Sequence, residues 1–252
     1  MHTSFDDWIG ALERRHLADL TFSELSRALR ALSATYVERR KRIGEGAALA
    51  GAGKRAAFAL FYGPLHYLLV QHIVSALSET GVRRVTGKLF DLGCGTGASG
   101  AAWASSCARP PEILGIDRHP WAVKEASATY REFGLRGRAI VGDLANADFP
   151  HGSGAFLAAF TLNELPDGTR ETVMARLLDR ATHGNRVLIV EPLAGFVAPW
   201  WKRWQAVVES AGGRADEWRI RVLLPDIVTK LDRAAGLNHR EITGRSLWIP
   251  GA

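Results

Sequence analysis

The chain has 252 residues, of which 47% are hydrophobic and 23% charged; this balance excludes disordered and fibrous proteins and suits one α/β core with an appendage. Its two cysteines, Cys94 and Cys107, form no Cys-x-x-Cys pair, which excludes a disulfide framework and a four-thiolate metal centre, and no metal is expected. The formal net charge is +6, with the basic excess in residues 1–85 and 196–252 around a nearly neutral middle, a distribution that suits a polyanion such as RNA and equally well plain solubility.

The amino terminus, MHTSFDDWIG, lacks the basic and apolar regions of a secretory signal, so a cytoplasmic address is expected. From Asp6 to about Arg42 the apolar residues Trp8, Ile9, Leu12, then Phe22, Leu25, Leu29 and Leu32 fall at helical spacing, and Thr21-x-x-Glu24 reads as a capping box. Two or more helices therefore open the chain. The run Arg39-Arg40-Lys41-Arg42 then leads into GEGAALAGAG, a hinge or a closely packed helix. Gly53-Lys54 is no phosphate loop, because Ala48 and Arg55 stand where that motif needs glycine and Ser/Thr. Phe58 to Leu77 carries no charge and is long enough to cross a bilayer. Gly63-Pro64 interrupts it, and His66, Gln71 and His72 would lie in lipid, so it reads as a buried helix starting at Pro64. No membrane partner is expected.

After Gly87 short β-type runs alternate with helical segments: KLFDL (88–92), EILGID (112–117), RAIVG (138–142), AFLAAFT (155–161) and RVLIVE (186–191). Such alternation predicts parallel βαβ units with helices on both faces of the sheet. Helices are predicted over 120–133, over about 169–181, and from Pro225-Asp226 to Gly236. NHREITGRSLWI reads as two tightly paired strands. The chain divides into a helical region, 1–81, and an α/β domain, 82–252.

Chemistry concentrates at Lys88-Leu-Phe-Asp91-Leu-Gly93-Cys94-Gly95-Thr96-Gly97-Ala98, a strand ending in an acid, a glycine turn and a helix start. The glycines admit positive φ and a close ligand. As Gly93-x-Gly95-x-x-Ala98 the turn also fits the loose fingerprint of nicotinamide-dinucleotide folds. Asp91 separates the two readings, because a loop that passes a pyrophosphate gains nothing from a carboxylate there.

With Asp91, Gly93, Gly95 and Gly97 in this order, the chain resembles the class I S-adenosylmethionine-dependent methyltransferases. The resemblance implies a Rossmann-like, mostly parallel seven-stranded sheet with helices on both faces, S-adenosylmethionine as cofactor and S-adenosylhomocysteine as product. It implies that Asp91 organises the site around the methionine amine, that Gly93, Gly95 and Gly97 admit the cofactor, and that Cys94 packs beneath it. Asp117, with Arg118 beside it, matches the acid that holds the ribose hydroxyls; the alternative is a helix cap ahead of Pro120. Asp143-Leu144 matches the pair that reads adenine, and Thr161-Leu162 lies beside the sulfonium.

The fourth strand runs on into Asn163-Glu164-Leu165-Pro166, which is not the Asn/Asp-Pro-Pro-aromatic motif of many amine-directed nucleic-acid methyltransferases. Asn163 or Glu164 can orient or deprotonate an acceptor, or Glu164 can simply start a helix; Glu191-Pro192 carries the same ambiguity. Trp200, Trp201 and Trp204, interleaved with Lys202 and Arg203, can stack bases, wall an acceptor pocket or form the buried face of a covering helix. Tyr62, His66 and Tyr67 can lid the site.

The order of a basic helical amino terminus, GKRAAFAL, DLGCGTG, TLNELPD and VEP over about residues 25–195 is also similar to a methyltransferase-like family associated with small-ribosomal-subunit assembly. That family's additional cysteine cluster is absent here. The resemblance implies RNA of the small ribosomal subunit as acceptor. The alternatives are a small-molecule acceptor, or an assembly factor that keeps the cofactor site without transferring a methyl group.

Overall fold

A computed structural model describes residues 4–38, 49–150, 152–194, 198–237 and 239–251. The basic run Arg39 to Arg42 lies outside them. Seven strands, β1 (Lys88–Leu92), β2 (Glu112–Asp117), β3 (Gly137–Val141), β4 (Gly154–Ala159), β5 (Arg186–Glu191), β6 (Arg214–Ile220) and β7 (Ile242–Ile249), form one sheet in the order β3-β2-β1-β4-β5-β7-β6. β1 to β5 pair in parallel, and β7 runs antiparallel between β5 and β6. The expected mostly parallel seven-stranded α/β sheet is what the chain forms. The carboxy-terminal segment is one strand, β7, and not the two expected. Its second neighbour, β6, is an edge strand whose sequence RADEWRI is mostly polar, so it lacks the apolar run that marks the central strands.

Alternation along the strands divides the core. Leu89, Ala155, Leu157, Leu188 and Val190 face one layer, and Phe90, Leu92, Phe156, Val187 and Ile189 face the other. Helices α5 (Ala98–Ser105) and α6 (Pro120–Glu132) cover the first face, and α7 (Asp167–Thr182) and α8 (Trp201–Ser210) the second. The amino-terminal helices α1 (Phe5–His16) and α2 (Phe22–Glu38) join the first layer, together with α9 (Asp226–Ala235). Ser4 and Asp7 form a reciprocal capping box at the start of α1. Trp8 packs against Tyr67 and Phe133, and Arg15 and His16 reach Glu125 of α6 at 2.7 and 3.0 Å.

The uncharged stretch does not start its helix at Pro64. The helix runs from α3 (Ala52–Ala57) through a π-helical turn, Phe58–Tyr62, into α4 (Gly63–Ala76). The Gly63 N–H reaches the Phe58 carbonyl five residues back, a widened turn that seats the proline, which has no N–H and whose ring would crowd a regular helix. Leu60, Leu69, Val70, Ile73 and Val74 of this helix are fully buried in the first core layer. Its apolarity is therefore accounted for by packing inside the protein.

Candidate active site

The strand order reverses between β1 and β4, and in open α/β sheets ligands bind beyond the carboxyl ends at such a point. A cavity of about 480 Å³ lies there. Gly93, Gly95 and Gly97 adopt φ of +66°, +52° and +74°, a region costly for residues with a Cβ. At Gly93 a Cβ would also lie 2.3 Å from Thr161 Cγ2. Thr161 Oγ1 donates within reach of the Leu92, Gly93 and Ala159 carbonyls, at 3.1 to 3.2 Å, and so ties the end of β4 to the glycine turn.

Three carboxylates arrive at this cavity from the ends of β1, β2 and β3. Asp91 is almost fully buried; Tyr130 Oη donates to it at 3.0 Å and the Gly100 N–H also bonds to it. Burial raises its pKa to about 7, against the lowering effect of these donors. Asp117 accepts from the Gly95 N–H at 2.9 Å and the His119 N–H at 2.8 Å. It does not cap α6: that role belongs to His119, whose Nδ1 accepts from the Trp121 N–H. Asp143 is exposed at the rim and accepts from the Ala145 N–H at 2.9 Å. Burial and the neighbouring Asp91 and Asp117 push the Cys94 thiol up, so it is a protonated small side chain in the wall.

Arg118, Leu144, Thr161, Asn163 and Glu164 line the same cavity. Gly97 and Leu162 do not. Gly97 is the backbone cap of α5, and the Leu162 side chain is fully buried in the second core layer. Glu191, fully buried, accepts from the Leu162 N–H at 2.9 Å, the Asn163 N–H at 3.2 Å and the Asn163 side-chain amide. It thereby holds the Leu162–Glu164 turn in place. Burial raises the Glu191 pKa to about 8.

The opposite end of the cavity is apolar and roofed by the π turn and α4. Phe58, Tyr62, Leu65, His66 and Leu69 come from the π turn and α4, Phe160 from the end of β4, and His239, Ile242 and Thr243 from the approach to β7. Tyr62 and His66 both line the cavity. Tyr67 does not: it stacks on Phe133 at 5.1 Å, within the core. His66 is half-buried among aromatic side chains, and desolvation lowers its pKa to about 3. Phe160 is the one non-glycine residue with positive φ among the described residues, at +58°, an uncommon conformation of the kind that gathers at functional sites.

The tryptophan cluster is a correction. Trp200, Trp201 and Trp204 are 8, 5 and 7% exposed and belong to the core layer on the α7–α8 face, away from the cavity lining. Arg170 lies over the Trp200 ring at 5.2 Å, Arg245 over Trp201 at 4.3 Å, and Glu171 accepts from Trp204 Nε1 at 3.2 Å. They neither wall the cavity nor offer a face to stacked bases. Sequence reasoning missed Phe58, Leu65, Leu69, His239, Ile242 and Thr243. A π turn leaves no clear pattern in sequence, and His239 has no local motif around it.

Residues 89–184 match the family model of a methyltransferase domain. Among solved structures, mitomycin 7-O-methyltransferase MmcR is similar at 16% identity, over 97% of this chain and 72% of that one, with a TM-score of 0.53. N-methyltransferase NodS from Bradyrhizobium japonicum WM9, in complex with S-adenosylhomocysteine, is similar at 11% identity, over 72% and 86% of the two chains, with a TM-score of 0.50. No curated protein matches in a sequence search. The domain match covers the glycine turn and the first four strand ends, so residues 89–184 form a methyltransferase domain, and the two likenesses extend the same fold over the sheet.

Proposed function

We propose that this chain is a class I S-adenosylmethionine-dependent methyltransferase that acts in the cytoplasm on a small, largely apolar molecule enclosed between the π turn with α4 and the ends of β4 and β5. One observation carries the reading. The carboxylate-lined end and the end walled by Phe58, Tyr62, Leu65, His66 and Phe160 are a single cavity, so an acceptor that meets the cofactor has to enter beneath the helical roof. Apolar walls with a few placed polar groups are what small-molecule sites are made of.

The residues present fit the cofactor. A sulfonium cation with an ammonium group and no phosphates is suited to three carboxylates and a backbone that approaches closely at glycine. In this reading Asp91 faces the methionine amine, Asp117 the ribose hydroxyls, and Asp143 with the Leu144 N–H the adenine. S-adenosylmethionine supplies an electrophilic methyl group. The chain aligns the acceptor through Asn163, whose amide Glu191 holds, and excludes water with the helical roof.

RNA of the small ribosomal subunit, the acceptor first expected from the flanking basic charge and the family resemblance, keeps that charge as its support, whereas the buried tryptophans offer its bases no stacking surface. Tritium transfer from labelled S-adenosylmethionine, to purified small ribosomal subunits and to a small-molecule extract in parallel, tests the choice. Asp91→Ala is the control. Label in the small-molecule fraction that vanishes in the variant is the expected result. Label in RNA alone overturns the proposal.

A further inference from the structure

Two histidines face the acceptor end of the cavity, and their surroundings are opposite. His66 is enclosed by apolar groups and stacks on Phe160. His239, on the segment entering β7, is exposed and paired with Asp232 of α9. The Asp232 side chain is 10% exposed, and its carboxylate accepts both from the His239 backbone N–H, at 2.7 Å, and from Nδ1 of the ring. The bond at Nδ1 fixes the neutral tautomer with its proton there, leaving the lone pair on Nε2. On the inner side the ring packs 5.8 Å from Phe61, beneath the π turn that carries Phe58 and Tyr62. The other charged groups of the segment are Arg240 and Glu241, and Glu241 is paired with Arg221.

We infer that His239, positioned by Asp232, is the general base of methyl transfer, and that the acceptor is a hydroxyl group on an apolar, aromatic-sized molecule. The inference rests on the small-molecule reading above and deepens it. A carboxylate-oriented imidazole at the acceptor end serves an atom that must lose a proton to become a good nucleophile. A hydroxyl needs that help, whereas a neutral amine attacks through a lone pair it already has. As the hydroxyl proton passes to His239 Nε2, the oxygen's electron pair forms the bond to the methyl carbon. The carbon–sulfur bond breaks with its pair remaining on sulfur. The imidazolium, stabilised by Asp232, then releases its proton to water at the open side of the ring. Asp232 is a positioning residue in this scheme, since it reaches the acceptor only through His239.

The test uses 4-nitrophenol, whose phenolate is yellow and whose phenol form is nearly colourless. It is titrated into the full chain saturated with S-adenosylhomocysteine, at a pH where the free probe is mostly protonated. In the wild-type protein binding should raise the phenolate fraction severalfold. His239→Gln should abolish the rise and Asp232→Asn should reduce it, while S-adenosylhomocysteine affinity by calorimetry stays that of the wild type. With a hydroxyl acceptor, His239→Gln should also lower kcat by about 10²–10⁴-fold. Probe that binds with the same colour change in His239→Gln overturns the base assignment, and a probe that does not bind overturns the acceptor class. If Asp232→Asn fails to fold, His239→Gln alone decides. Failure of the small-molecule reading is seen separately, as label in ribosomal RNA in the transfer assay.

Discussion

The His66 and Phe160 rings lie face to face, with centroids 3.9 Å apart and planes 14° from parallel. The stack joins the helical roof to the end of β4, where Phe160 is held at φ +58°. A left-handed conformation at a bulky residue costs on the order of 1–3 kcal/mol, and the stacked contact between the two half-buried rings offsets part of it. The contact also fixes the charge state of His66, because an imidazolium there would lose its hydration without gaining a carboxylate.

That charge state has a consequence for acid stability. Burial lowers the His66 pKa from 6.5 to about 3, so below pH 6.5 the unfolded chain takes up a proton that the folded chain refuses. Stability should fall as pH drops from 6.5 towards 3, with His66 contributing up to about 1.4 kcal/mol per pH unit. His66→Phe keeps a ring against Phe160 and removes the titration. Urea denaturation at pH 7 and pH 5 should show a smaller loss for the variant than for the wild type, and equal losses would place the sensitivity elsewhere.

Asp91 should couple cofactor binding to a proton. With its pKa raised to about 7, the carboxyl is about half protonated near neutrality, and a cationic ligand favours the ionised form. Binding should therefore release protons, and affinity should rise as pH climbs through 7. Calorimetry in buffers of different ionisation enthalpy measures the release directly. Asp91→Asn should abolish the buffer dependence and weaken binding.

Much of this site is legible in the sequence, for physical reasons that differ by residue. Asp91 and Asp117 end strands that are read easily because a buried parallel strand is an apolar run, whereas Asp143 follows β3, an exposed edge strand legible only by its short Ala-Ile-Val run. Chain order then brings the three to one edge of the sheet. Trp200, Trp201 and Trp204 mislead because aromatic spacing on a helix is the same whether the face meets a ligand or a core. Arg245 and Arg170, which cover the rings, are distant in sequence. His239 is silent for a related reason: its partner Asp232 is seven residues away across the end of α9, and folding alone makes the pair.

Asp117 offers a test of the ribose assignment. Its carboxylate is held by two backbone N–H groups, at 2.9 and 2.8 Å, and so is oriented before any ligand arrives. Asp117→Ala should weaken S-adenosylhomocysteine binding by about 1–3 kcal/mol through lost charge-assisted hydrogen bonds. It also leaves the Gly95 N–H without its partner. Unchanged affinity in calorimetry would remove Asp117 from the ribose site.

Glu191 separates folding from alignment. Its pKa is raised from 4.5 to about 8 by burial, which outweighs the three N–H donors around it. A carboxyl whose folded pKa lies above its unfolded value contributes stability that is fully present below pH 4.5 and is lost as pH rises towards 8. Glu191→Gln should remove that loss, so that above pH 8 the variant is more stable than the wild type in urea denaturation. Its activity above pH 8, where Glu191 is ionised and both oxygens accept, should nonetheless fall. The amide oxygen introduced by the substitution can still accept from the Leu162 and Asn163 backbone N–H groups, but an NH₂ group then replaces the oxygen that accepts from the Asn163 side chain. The Asn163 amide has to turn over or move, and the group it offers the acceptor changes from carbonyl to NH₂. A variant more stable at alkaline pH, with undiminished S-adenosylhomocysteine affinity and a reduced kcat, would identify Glu191 as the residue that aims Asn163. Full activity in the same variant would show that Asn163 does not orient the acceptor.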